Sequence, residues 1–127
     1  MAKMILDFLS APWHDSEIVD IAIDRSHPGV KDSIVITINW ADDGYTSKLV
    51  FENVYYVSLS LNLGIVCGDK GEPIDNVVNE HENNALIFSI KEKWNHEIDN
   101  IHLEYYRINT SSTNSSIIIV AGGVRFV

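Results

Sequence analysis

Apolar and polar positions alternate with a period of two over much of this chain, and that period predicts strands. Ile34, Ile36, Ile38 and Trp40 are separated by Val35, Thr37 and Asn39, so the first four share one face of a half-buried strand. Val57, Leu59, Leu61, Leu63 and Ile65 alternate with Ser58, Ser60, Asn62 and Gly64, the cleanest strand pattern present. Between them, Ala41-Asp-Asp-Gly-Tyr carries an Asp-Gly turn signal and is followed by Lys48, Leu49, Val50, Phe51 and Glu52. Residues 33–52 therefore read as a β-hairpin with Asp42 and Asp43 at its tip. Upstream, Val19, Ile21 and Ile23 alternate with Asp20, Ala22 and Asp24, and the run stops before the breaker cluster His27-Pro-Gly. Downstream, residues 86–90, 101–109 and 116–127 are strand-like in their β-branched and aromatic content, and the polar run 110–116 reads as a flexible hairpin loop.

Three stretches depart from that rhythm. Ile90, Trp94 and Ile98 recur at a helical spacing with Lys91, Lys93 and Glu97 outside, so residues 89–99 fit a helix as well as a strand. Residues 1–9 fit an amphipathic turn or a strand equally. Gly122-Gly123 inside the last strand predicts a bulge or bend, where the backbone needs positive φ or close approach. The sum is a single mainly β domain spanning residues 1–127, α+β at most. Its antiparallel sheet is sandwich-like or strongly curved and carries one or two short helices.

The chain has 127 residues, 46% of them hydrophobic, enough for one core without staples. Cys67 stands alone, so no intramolecular disulfide and no CxxC motif is available, and a small half-buried core role is expected for it. No signal-like segment and no apolar run of about 20 residues occurs, which predicts a cytosolic protein. Eighteen Asp and Glu against nine Lys and Arg leave a net charge of -9. That charge repels phosphate backbones and anionic bilayers and favours a cationic partner, although acidity for solubility is an equal alternative. The charge is uneven: Asp69, Glu72, Asp75, Glu80 and Glu82 face only Lys70 in a stretch that reads as a long surface loop or short helix.

Chemistry-bearing residues are sparse. Trp13-His14-Asp15-Ser16-Glu17 puts an imidazole, two carboxylates and a hydroxyl side by side, and a small enzyme built on His14 and Asp15 is one reading. Adjacent residues on a strand point apart, whereas a triad converges from separate segments, so a structural role is favoured. The five histidines show neither HxH nor HxxxH spacing, and no metal, cofactor or catalytic set is predicted. Walker, dinucleotide and nucleophile-elbow motifs are missing as well. The apolar stretch Ile117 to Val120 leaves a further alternative, an assembly or ligand-binding module that pairs through an exposed sheet edge.

Several segments occur together in a familiar way: Trp-His-Asp-Ser-Glu-Ile at 13–18, Asp-Arg-Ser-His-Pro-Gly at 24–29, the Asp-Gly turn at 43–44, Leu-Val-Phe at 49–51 and Leu-Asn-Leu-Gly at 61–64. Over about its first half the chain resembles the small immunity proteins of bacterial polymorphic toxin systems, in particular those of contact-dependent growth inhibition. The resemblance implies a non-enzymatic cytosolic antidote that binds a cognate toxin C-terminal domain, often a nuclease with a basic groove. With the motifs missing no cofactor is expected, and the charge argues against direct contact with nucleic acid or membrane. Acidic residues complement such a groove, with Asp42, Asp43, Asp69, Glu72, Asp75, Glu80 and Glu82 as candidate contacts and Tyr45 as an aromatic anchor. A monomer or weak homodimer is expected.

Overall fold

The computed structural model describes residues 8–42, 44–68, 71–81 and 83–127. Among these residues six strands form: β1 (Glu17–His27), β2 (Lys31–Asn39), β3 (Thr46–Ser60), β4 (Glu72–Glu80), β5 (Glu104–Thr110) and β6 (Ser116–Phe126). They pair antiparallel in the order β1-β2-β3-β6-β5-β4 and close into a barrel. A 3-10 turn, Phe8–Ser10, precedes the barrel, and one helix, α1 (Ala85–Lys93), lies between β4 and β5. The chain is thus mainly β, and the curvature expected of its sheet runs to closure. Of the stretch 1–9, only Phe8 and Leu9 fall within the described residues.

Period-two patterning builds the core. Ile34, Ile36, Ile38 and Trp40 are buried, and Leu49, Phe51, Ile74, Ile108, Ile117 and Ile119 join them from the other strands. Full burial contributes roughly 1.5–3 kcal/mol for each large apolar side chain. Aromatic rings crowd together inside: Phe8 lies 4.9 Å from Trp13 and 5.0 Å from Tyr106, and Trp13 lies 5.1 Å from Trp40. Both buried indoles keep a hydrogen-bond acceptor, the Phe8 carbonyl at 2.6 Å for Trp13 and the Ser47 hydroxyl at 2.6 Å for Trp40.

Two irregularities bend and close the sheet. The first half of β3 pairs with β2 as far as Glu52, opposite Ser33, while the second half has β6 alone as its strand neighbour. At the changeover the β3–β6 register slips between Val54 and Tyr56, and Asn53 takes a positive φ of 54°. A Cβ on Gly122 would meet the Asn53 Cβ at 3.2 Å, so of the two reasons expected for a glycine here it is close approach that applies. Closure is narrow: β1 meets β4 only through Glu17–Pro73 and Ile18–Glu72.

Several local expectations are corrected. The strand expected through Ile65 ends at Ser60, and Leu63 and Ile65 are exposed. Asn62 ends it, since its N–H donates to the Ser115 hydroxyl at 2.9 Å and its amide to the Thr113 carbonyl at 2.8 Å. The run 110–116 is consequently pinned rather than flexible, with Thr110, Thr113 and Ser115 buried. The acidic stretch expected as a loop or helix contains strand β4, held by Ile74, Val77 and Val78 against β5. Residues 86–90 are helical, and the helix begins four residues before the expected 89 because Asn84 caps it, accepting from the Leu86 and Ile87 N–H groups. It stops at Lys93, before Asn95 and His96 adopt positive φ. On β1 a register slip beside Val19 turns Ile18 and Ile21 toward the core and leaves Val19 and Ile23 exposed. The apolar segment of β6 is flanked by β3 and β5, so it presents no open edge for self-pairing. Cys67 is half-buried but belongs to the loop after β3, outside the core cluster.

Candidate functional site: an acidic barrel end

Ser16 organises one end of the barrel. Its hydroxyl donates to the Pro12 carbonyl at 2.7 Å and accepts from the Ala41 N–H at 3.0 Å, tying the turn before β1 to the turn after β2. The same segment is stitched to β4, because the Asp15 N–H donates to the Ile74 carbonyl at 3.0 Å and the Ile74 N–H to the Ser16 carbonyl at 2.7 Å. His14 Nδ1 reaches the Asp75 carbonyl at 3.3 Å. These bonds gather three exposed acids from distant parts of the chain, Asp15, Asp42 and Asp75, within a residue of one hydrogen-bonded cluster.

The segments that meet here carry no cation. Close to the cluster, residues 11–18, 38–45 and 71–76 contain six of the eighteen acids and not one Lys or Arg. Five described cations lie elsewhere: Arg25 and Lys31 flank the β1–β2 turn, Lys91 and Lys93 are in the last turn of α1, and Arg125 pairs with Glu52 at 3.1 Å. The other two are nearer: Lys48 is two residues past Thr46, which pairs with Asn39, and Arg107 donates through Nε to Asn109, whose amide donates to Asn76 beside Asp75. An excess of one sign at one end steers an oppositely charged surface toward that end.

Of the sequence-predicted contacts, Asp42 and Tyr45 lie in the β2–β3 turn, where Tyr45 is 51% exposed and its carbonyl accepts from the Trp40 N–H at 2.7 Å. Asp75 is exposed on β4 beside a register slip. Glu72 sits at the closing seam, partly buried, and accepts the Thr113 hydroxyl. Glu80 is at the other end of β4, about 26 Å away at strand rise, and accepts from the Asn84 amide at 2.7 Å. Asp43, Asp69 and Glu82 lie outside the described residues. The structure therefore joins Asp42 and Asp75 to Asp15, which the sequence placed in a different constellation, and separates Glu80 from them.

At His14 and Asp15, the other candidate centre, the Ser16 hydroxyl does not join the pair. Ser16 is fully buried and its hydroxyl faces two backbone groups, not the imidazole. His14 Nε2 and Asp15 Oδ2 are 3.7 Å apart with both side chains about three-quarters exposed.

A histidine cluster escaped the sequence reading. His81, His96 and His102 line one cavity of about 560 Å³ beside α1, together with Lys91, Phe88 and Asp99. Glu104, largely buried, contacts His102 Nε2, lies 3.8 Å from His81 Nδ1 and accepts from the Asn79 amide at 3.0 Å. Its one sequence signal is His102-x-Glu104, which places both on one face as β5 begins. Among the described residues, no three His, Cys, Asp or Glu groups are placed to hold a metal ion.

Two titrating groups are displaced. The hydroxyl and N–H of Ser26 hold the Asp24 carboxyl below its ordinary value. Burial, with a smaller contribution from the Glu104 charge, pushes the Tyr106 phenol up to about 12. Compared with protein-family models, curated proteins and solved structures, the chain matches none. Among the described residues no helix is long and apolar enough to cross a membrane.

Proposed function

We propose that this protein is a non-catalytic antidote, an immunity protein that sequesters a basic toxin domain in the cytosol through its acidic barrel end. The observation that carries the reading is the convergence of three cation-free segments on one hydrogen-bonded cluster that displays Asp15, Asp42 and Asp75. Tyr45, exposed in the adjoining turn, adds the aromatic area that binding surfaces concentrate. The segment resemblance supplies the class of partner. Complementary charge raises the encounter rate and rejects acidic competitors.

The test is titration calorimetry against the toxin domain encoded beside the gene. The triple variant D15N/D42N/D75N is expected to bind at least about tenfold more weakly, a loss of about 1.4 kcal/mol, with its fold unchanged. Wild-type affinity should fall as salt rises. Undiminished affinity in the triple variant, or a gene with no toxin beside it, overturns the proposal.

A further inference from the structure

The barrel closes through so few residues that β1 keeps an open edge. β1 pairs with β2 along its length, from Glu17 opposite Asn39 to His27 opposite Lys31, but with β4 only at Glu17 and Ile18. Among the described residues no strand lies beside the other edge of β1 from Val19 to Asp24. Val19, Asp20, Ala22 and Ile23 are exposed along it.

Long edge strands are ordinarily guarded by Lys, Pro, short length or bulges that twist them away. β1 has eleven residues, no Pro and no cation before Arg25; besides its register slips, its guards are Asp20 and Asp24. Those carboxylates decide what the edge accepts. A second copy pairing antiparallel about Ala22 would set Asp20 opposite Asp24 twice over, and like charges directly opposite are destabilising. A basic strand meets the same positions with opposite charge. The open edge begins just past the paired residues Glu17 and Ile18, four residues from Asp15, so it continues from the acidic barrel end.

We propose that the open edge of β1, from Val19 to Asp24, accepts an extended basic segment of the partner as an added antiparallel strand. The inference rests on the reading of the protein as a binder of a basic partner. Backbone hydrogen bonds hold such a strand, and alternate side chains select it. Asp20, Ala22 and Asp24 alternate along the strand, which calls for Lys or Arg four residues apart with a small residue midway.

The probe is the capped peptide Thr-Lys-Val-Ala-Val-Lys-Thr, mixed with the full chain while amide exchange and chemical shifts are followed by NMR. Slowed exchange and shifts are expected at amides within residues 19–24. A peptide of the same sequence, N-methylated at alternate residues on its pairing edge, keeps the charge and should bind at least about tenfold more weakly. D20N/D24N should weaken the unmodified peptide as well. Equal binding of both peptides, changes that map elsewhere, or amides already protected in the free chain would each overturn the proposal. If D15N/D42N/D75N loses the toxin domain while the peptide protects nothing at residues 19–24, the strand acceptor falls and the antidote reading stands. The converse pattern removes the antidote reading and keeps the acceptor.

Discussion

Ser16 carries a hydroxyl of the catalytic kind and uses it for architecture. Replacing it with Ala removes the bonds to the Pro12 carbonyl and the Ala41 N–H that tie the two turns together, and a loss of about 0.5–1.5 kcal/mol is expected in urea unfolding. Tyr106 offers a second residue-level test. Its phenol stays protonated to about pH 12 when folded, whereas an unfolded tyrosine ionises near 10. The unfolded state therefore releases its proton first as pH rises, and the stability present below pH 10 drains away between 10 and 12. Tyr106→Phe should flatten the decline over that window relative to wild type, as read by chemical denaturation at successive pH values; parallel curves would contradict it. The residue types at 13–17 were legible as chemistry-bearing, and so was a structural part for Ser16. The partners were not, because Ala41 and Ile74 approach only when the barrel closes.

Among the elements, legibility followed the range of the interactions that decide each one. The β2–β3 hairpin was readable because its turn and both strand patterns are local. β4 was not, since its acids suggested solvent while Ile74 and Val77 were already committed to the core. The start of α1 was set by one capping side chain, Asn84, that periodicity does not register. The exit of β3 was set by Asn62, whose partners at Thr113 and Ser115 lie some fifty residues away. The seam between β1 and β4 is the element most open to test. A Cβ on Gly71 would come within 2.1 Å of the Ile18 carbonyl oxygen, so Gly71→Ala must push the two strands apart. A destabilisation of about 1–3 kcal/mol is expected, with faster amide exchange at Ile18 and Glu72 than at the β2–β3 rungs. Uniform loss of protection across the barrel would mean that the seam is not a separate weak point.

For the whole molecule, the charge of -9 acts in opposite directions on folding and on binding. Self-repulsion among the acids opposes the compact state, so the urea midpoint should rise between about 10 mM and 0.5 M NaCl, while partner affinity falls over the same range. A midpoint that ignores salt would mean the charges sit too far apart to matter. That the excess was acidic was visible in composition, and the meeting of Asp15, Asp42 and Asp75 at one end was not, because it depends on which turns the barrel brings together. The placement of β6 between β3 and β5 has a consequence for the order of assembly. Its rungs join Leu49 to Phe126 and Ser60 to Ser116, contacts far apart along the chain, and such topologies fold on the order of milliseconds to seconds. Until β6 has been synthesised, β1–β2–β3 and β4–β5 can meet only at the short β1–β4 seam, and the flanks of β3 and β5 stay open. The nascent chain therefore passes through a stage at which it is prone to stick to its neighbours, and the strand that ends this stage is the last of the six to be made.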